Sequence, residues 1–482
     1  MSEIFRGIFQ GPKAGDQHLY VWSDGKNIAS STSLSHVLNE MRSYGAALEI
    51  DPQSISFMLN NALVPPPNTI YKDVYMLGIG QSIRFEESAG GAQKSVFEHK
   101  FPFEEKQSTG QSKPSTDILL EKLCASLSRR VSGESALMLS SGKDSVALAL
   151  ASKECGISPT CFTYADAQGA KNDETQDAKH FAQKLGLKHE TIKIPDDPQS
   201  FKAGLLHYFE NTASPSGDPT TAAYFLGLHN AGIKNTAIID GTRNDIYMGI
   251  VPTQKYELLG EYYRILGGAL HQNWPPFHSK ISKFLSSFPE VHLYKHGQFR
   301  FKETQKFYEP ALPTARFWKD TYNQYKDLDD HDLRGLFIGQ IFDGCGVTLK
   351  GEMVAEALES DLIMPWADEE LADYFFNLPC EYKYDYKTRT NKILLREMLK
   401  EKCGYEAGAI GKRVFYFNSK RFVLNNKNFV QDEILSCDLW NANIETYLTE
   451  LLGKLEHEPR LGGALYGLFM LSGWYNHSKY LK

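Results

Sequence analysis

Cysteine is scarce and unpatterned in this chain of 482 residues. The seven cysteines stand at 124, 155, 161, 345, 380, 403 and 437, with no C-x-x-C pair. That spacing argues against a zinc ribbon or a disulfide frame and suits reduced thiols. Long apolar runs are missing too. The nearest, Gly463 to Trp474, falls short of the roughly 18 residues of a membrane span and suits a buried helix. The opening Met1-Ser-Glu-Ile-Phe-Arg lacks the apolar stretch of a secretory signal. Positive charge is in deficit: the net charge is −7, which gives no electrostatic footprint for nucleic acid. The expectations are a cytoplasmic protein with no nucleic-acid and no membrane partner. A Walker A loop is also absent. Leu137 stands where its first glycine belongs, and Asp144 stands where Ser or Thr should follow Lys143.

What is present is a strand, a small polar turn and a helix start, in that order. Ala136 to Leu139 is apolar. Ser140-Ser-Gly-Lys-Asp-Ser145 follows, then Val146-Ala-Leu-Ala-Leu150. Such a turn aims backbone N–H groups and the positive end of a helix dipole at an anion. Ser140, Ser141 and Ser145 add hydroxyls. Asp144 is unhelpful beside a bare phosphate but sensible with Mg²⁺ between them. The stretch therefore reads as a nucleotide site.

The chain divides by composition. Residues 1–103 carry short strand patterns at Ile4–Phe9, Leu19–Trp22 and Val74–Phe85, with helical patterns at Leu34–Met41 and Gln53–Leu63. Residues 104–116 are polar and read as a linker. From Asp117 a helical stripe opens, with Thr116 as its expected N-cap. Strands are expected at Thr160–Tyr164, His189–Ile194 and Thr236–Asp240, alternating with helices such as Glu174–Leu185. That alternation predicts βαβ units and a parallel sheet, whose ligands sit at the strand C-terminal ends. Ser140–Ser145 and Asp240–Asp245 both fall there. Residues 255–482 read as mostly helical. The acidic Asp327–Asp332 run around His331 reads as a solvated turn before a helix.

Several segments together resemble the asparagine-synthetase and β-lactam-synthetase family. Ser140–Ser145 resembles its Ser-Gly-Gly-x-Asp-Ser pyrophosphate loop. Asp173-Glu174 with Leu185-Gly-Leu-Lys-His189 resembles its second segment. Gly241-Thr-Arg-Asn-Asp245-Ile-Tyr-Met-Gly249 resembles its Gly-x-Gly-x-Asp-Glu-x-x-x-Gly loop. Pro365-Trp-Ala-Asp368, Leu378-Pro379, Lys392-Ile-Leu-Leu-Arg396, Lys412 and Leu465–Trp474 resemble later signals. The likeness covers about residues 117–482. It implies an α/β fold: a parallel sheet with flanking helices, adenine-nucleotide α-hydrolase-like, with a helical C-terminal half. Residues 51–85 are similar to the end of that family's glutaminase domain. This implies a truncated α+β Ntn-type remnant over 1–103, with Ser2 where the nucleophilic Cys belongs.

The resemblance implies an AMP- and pyrophosphate-forming amide ligase, with ATP as substrate and Mg²⁺ as cofactor. Ser140, Ser141, Gly142, Lys143, Asp144, Ser145, Thr163, Gly241 and Lys392 would bind ATP and pyrophosphate. Asp144 and Asp245 would carry the metal. Lys412 would neutralise charge in catalysis, and Glu359 or Asp361 would act as acid/base. The partners would be a small-molecule or peptide carboxylate and an amine. Ammonia, a separate amine and ring closure within one molecule stay open, as does a homodimer or a biosynthetic partner. The chain departs from the family at Ser141, Ile246 and Ile363, each in place of a Gly, Glu or Arg. A non-catalytic ATP-binding protein of a biosynthetic complex is the alternative. A tRNA-thiolase-like activity is disfavoured by the charge and the unpaired cysteines.

Overall fold

A computed structural model describes residues 8–15, 17–87, 93–100, 112–165, 173–194, 197–250, 298–328, 330–406, 417–458 and 461–482. The N-terminal lobe holds two three-stranded antiparallel sheets. One is ordered β1 (Ile8–Gln10), β5 (Gln81–Glu87), β6 (Gln93–His99), and the other β3 (Ile28–Ser31), β2 (Leu19–Ser23), β4 (Val74–Leu77). Val74–Phe85, expected as one strand pattern, is thus two strands. The chain turns at Gly78–Gly80, where Gly80 takes φ +71°, a conformation glycine adopts without a Cβ clash. Helices α1 (Leu34–Ser43) and α2 (Pro52–Asn61) pack on the lobe. Ser33 and Asp51 cap them, accepting from His36 N and Ser54 N.

The second half is built on a parallel five-stranded sheet, as its βαβ pattern predicts. The strands are β7 (Ser135–Met138), β8 (Thr160–Tyr164), β9 (His189–Ile192), β10 (Ala237–Ile239) and β11 (Asp361–Ile363). Their order across the sheet is β9-β8-β7-β10-β11, all parallel. The first strand is therefore central, and the chain winds outward in both directions from it. In such a sheet the crevice between the first strand and the one that reverses direction is open to a ligand. Here that crevice lies beyond the C-terminal ends of β7 and β10.

Helices α3 (Thr116–Arg130), α4 (Lys143–Glu154), α5 (Thr175–Leu185), α6 (Pro198–Asn211), α7 (Thr221–Asn230) and the one-turn α8 (Asp245–Met248) accompany the sheet. The cap of α3 is Ser115, whose Oγ accepts from Ile118 N at 3.3 Å, and not Thr116. A continuous helix, α9, then runs through Asp330–Arg334, Gly335–Thr348 and Leu349–Ala357, its middle stretch wound as a π-helix. Helices α10 (Ile393–Cys403) and α11 (Leu461–His477) follow. The apolar centre of the sheet half is α4, whose Val146 to Ala151 are almost fully buried. That burial fixes the loop before it. All seven cysteines are free thiols. Among the described residues no helix is long and apolar enough to cross a membrane.

Candidate active site

The loop between β7 and α4 is tied together by its own serines. Ser140 N–H donates to Ser145 Oγ (3.0 Å), the two hydroxyls lie 2.8 Å apart, and Gly142 N–H donates to Ser140 Oγ (3.0 Å). Ser141 faces inward. Its N–H and Oγ both donate to Glu174 Oε2 (2.9 and 3.0 Å), and Tyr405 OH donates to its carbonyl (2.8 Å). The N–H groups of Ser141 and Gly142 are therefore used inside the protein, and do not point at a ligand as expected for pyrophosphate-binding residues. The donors left are those of Lys143, Asp144 and Ser145 in the first turn of α4. Gly142 is its N-cap, and no side chain caps it. Uncapped first-turn N–H groups at a dipole's positive end form a ready anion site.

Gly241 brings the second loop against this turn. A Cβ there would lie 3.2 Å from Ser145 N, so only glycine allows so close an approach without displacement. The approach lets Asn244 donate Nδ2–H to Asp144 Oδ1 at 2.8 Å. Lys392 completes the junction. It stands at the N-cap of α10 with φ +57°, its side chain 2% exposed. Its Nζ lies 2.9 Å from Asp144 Oδ2, 2.6 Å from Asp245 Oδ1 and 2.6 Å from Asn244 Oδ1. The two carboxylates expected to hold metal thus face one cation, from adjacent strand ends.

The electrostatics follow from that arrangement. Burial alone would raise the Asp144 carboxyl, but Lys392 and Lys143 outweigh it and hold its pKa below the usual value. Burial would lower the Lys392 ammonium, but Asp144 and Asp245 hold its pKa up. Lys143 is pushed down to about 8 by burial and then by the neighbouring Lys392. A lysine depressed by burial and by a neighbouring ammonium is arranged for an incoming polyanion.

Two carboxylates and an amide oxygen are hard donors suited to Mg²⁺, which commonly takes one or two carboxylates and completes its shell with water and phosphate. No group of three or more His, Cys, Asp or Glu able to hold a metal occurs among the described residues. The fit is therefore to a metal shared with a phosphate ligand, not to an all-protein cage. Ile246, where the resembled family has Glu, is 1% exposed. It packs against Gly339 of α9, whose Cβ would lie 2.9 Å from Ile246 Cγ1. It supplies no ligand.

The structure does not bring the expected acid/base residues to this site. Asp361 opens β11 opposite Ala237, which itself lies opposite Ser135. It is at the entering end of the sheet, with the loops at the other. Glu359 lies two residues further back. It is 63% exposed and ion-paired with Lys234 at 3.0 Å. A carboxylate four residues before Pro365 must sit one strand length away, because the strand lies between them. Thr163 lies behind the loop, donating to Leu139 O (2.6 Å) with His189 Nε2 at 2.9 Å. It supports the loop from beneath. Lys412 and Ser2 lie outside the described residues.

Three further residues enter the site: Trp366 and Arg243 lie inside segments that the sequence singles out without assigning them a role, and Asp343 carries no sequence signal. Trp366, fully buried just past β11, donates Nε1–H to Asp144 O at 3.2 Å. Asp343, half-buried on α9, has its carboxyl pushed up to about 7 by burial and then by the nearby Asp245 charge. Arg243 takes φ +82° and is 4% exposed. Its Nε–H donates to Gly15 O (3.0 Å) and Nη1–H to Gly339 O (3.2 Å).

No family model matches the chain, and no curated protein is similar enough to match it. Among solved structures, NMN synthetase from Francisella tularensis is similar at 18% identity and a TM-score of 0.21, over 48% of this chain and 98% of the synthetase. A likeness at that score leaves the chemistry to be argued from this chain's own residues.

Proposed function

We propose that the chain is an ATP-dependent, AMP-forming amide ligase. The observation that carries this is the junction of Asp144, Asp245, Asn244 and Lys392 beside the uncapped start of α4, at the switch point of the sheet. The first turn of α4 binds the β- and γ-phosphates through the N–H groups of Lys143, Asp144 and Ser145. Lys143 and Lys392 neutralise charge as pyrophosphate departs. Asp144 and Asp245 would hold Mg²⁺, which would neutralise phosphate charge when bound. A substrate carboxylate attacks the α-phosphorus, breaking the bond to pyrophosphate and forming an acyl-adenylate. The amine then attacks the acyl carbon, and AMP leaves. Glu359 and Asp361, at the far end of the sheet, do not take the proton from the amine; the departing AMP phosphate or solvent accepts it. The amine is ammonia, a separate amine or one in the same molecule.

One observation favours a second reading, an ATP-binding partner protein without turnover. Glu174 already occupies the Ser141 N–H and hydroxyl. Pyrophosphate release separates the two. Purified protein is incubated with Mg-ATP and pools of carboxylates and amines, or with cell extract. The expected result is AMP and pyrophosphate in equal amounts, abolished by Asp144→Asn. Tight ATP binding with no pyrophosphate from any pool would establish the second reading. Absence of ATP binding would remove both.

A further inference from the structure

We propose that Arg243 is a positioning residue that makes the N-terminal lobe a working part of the ATP site. Its guanidinium ties the second site loop to that lobe. The inference rests on the nucleotide reading of the site given above. Three neighbouring residues of one loop face opposite ways. Asn244 and Asp245 reach Asp144 and Lys392, on the nucleotide side. Arg243 reaches back to Gly15 O in the lobe and to Gly339 O on α9.

The surroundings of Arg243 are shaped for it. A Cβ on Gly15, which takes φ +76°, would lie 2.2 Å from Arg243 Nη2, and one on Gly344 would lie 3.3 Å from Nη1. Gly15 tolerates no side chain while the guanidinium is in place, and at Gly344 a side chain would press on it. Gln340, one residue beyond the Gly339 acceptor, donates Nε2–H to Ile79 O of the lobe. The lobe, α9 and the site loop therefore meet around one buried cation.

The backbone gives the second argument. At φ +82° Arg243 adopts a conformation that disfavours any residue with a Cβ and suits glycine. Arginine also loses its hydration when buried. Both costs are accepted at this position, next to Asn244 and Asp245. Strain kept beside a functional cluster points to use of the side chain. The use is to fix the turn that aims Asn244 and Asp245. A lobe that only covered the synthetase half would need no charged tie to that turn.

The test uses the full chain, with ATP binding measured by calorimetry in Mg²⁺ and again in EDTA, and apo Tm measured alongside. Arg243→Gly relieves the backbone strain and removes the tie. The expected result is a loss of about tenfold or more in ATP affinity in Mg²⁺, about 1.4 kcal/mol. Affinity in EDTA, which reads mainly the α4 N-terminus, should change less than about twofold. Gly15→Ala, on the lobe side, should give the same Mg²⁺-selective loss, and the double variant should lose no more than Arg243→Gly alone. If Arg243→Gly and Gly15→Ala keep wild-type affinity in Mg²⁺, the inference is overturned. If affinity falls equally in Mg²⁺ and EDTA, in step with Tm, Arg243 is merely structural and the inference is again overturned. Asp144→Asn separates this from the reading beneath it. A wild type that binds no ATP, or an Asp144→Asn variant that binds Mg-ATP as well as wild type, sinks the nucleotide reading itself. Loss in Asp144→Asn without loss in Arg243→Gly sinks only the role of Arg243.

Discussion

Lys392 holds a left-handed backbone conformation at a helix start, which costs a residue with a Cβ about 1 kcal/mol or more. The return is an ammonium placed between Asp144 and Asp245. Without it, two partly exposed carboxylates would face each other with no cation between them. Lys392→Met should therefore lower stability by about 2 kcal/mol, below the full cost of breaking a buried pair because Asp245 is partly exposed. Millimolar Mg²⁺ should restore part of that loss in a thermal melt, and should do little for the wild type. A variant whose Tm ignores Mg²⁺ would count against a cation site between the two carboxylates. Asp343 gives a second prediction with the opposite pH sense to Asp144. Its folded pKa is raised to about 7, so between about pH 4 and 7 the folded chain binds more protons than the unfolded one. Stability from this group falls as pH rises through that window, and the loss is complete above pH 7. Asp343→Asn should leave Tm unchanged near pH 4 and raise it by about 2 °C at pH 8. A constant offset at all pH values would contradict a titrating carboxyl there.

Among the elements, α9 joins the site to the lobe, and its glycines divide into two kinds. A Cβ at Gly339 would meet Ile246 Cγ1, Cα and N at 2.9, 3.1 and 3.2 Å, mostly backbone that cannot swing away. At Gly346 a Cβ meets nothing within 4 Å. Gly339→Ala should push on α8 and shift Asp245, reducing ATP-dependent turnover about tenfold or more. Gly346→Ala should keep turnover and gain up to about 1 kcal/mol from helix propensity. Equal effects of the two on pyrophosphate release would show that α9 does not bear on the site. How much of this is legible in sequence depends on the element. Parallel strands buried on both faces give apolar runs, so β7, β8 and β10 are readable as strands, while β9, the half-exposed edge strand His-Glu-Thr-Ile, is readable from its place after a helix and Gly186; the turn after β7 is readable from its serines and glycine. The placement of Asp144 near Asp245 follows from strand order, which alternating βα patterns imply. The π-wound stretch Gly335–Thr348 has no periodic signature that separates it from a buried α-helix. The Asn244 bridge and the Lys392 cap join loops far apart in sequence, and no spacing rule connects them. Asp361 misleads for a related reason. Counting back from Pro365 gives a position along the chain, but not the end of the strand on which it falls.

At the scale of the whole molecule, the lobe and the sheet half share one apolar core. Ala14, Trp22, Leu38, Phe57 and Ile79 of the lobe belong to the same buried cluster as Leu137, Val146, Phe337 and Trp474. Polar ties cross the same boundary. His18 Nδ1 and Tyr20 OH meet the Glu352 carboxylate at 3.0 and 2.8 Å. Tyr71 OH donates to Ala213 O (2.7 Å), and Asn60 Nδ2–H to Thr304 Oγ1 (2.9 Å). Arg42 reaches the carbonyls of Tyr480 and Lys482 at the far end of the chain. Removing the lobe would expose apolar surface and leave Glu352 with neither of these partners. The chain should therefore unfold as one unit. In urea, the fluorescence of Trp22, isolated by replacing the other tryptophans with Phe where the fold tolerates it, should report the same midpoint as far-ultraviolet circular dichroism of the helices. Coincident transitions are the mark of a single cooperative unit. An earlier transition confined to the lobe would show two independent domains. It would also weaken the case for the Arg243 tie, since a lobe that melts alone cannot hold the site loop in place.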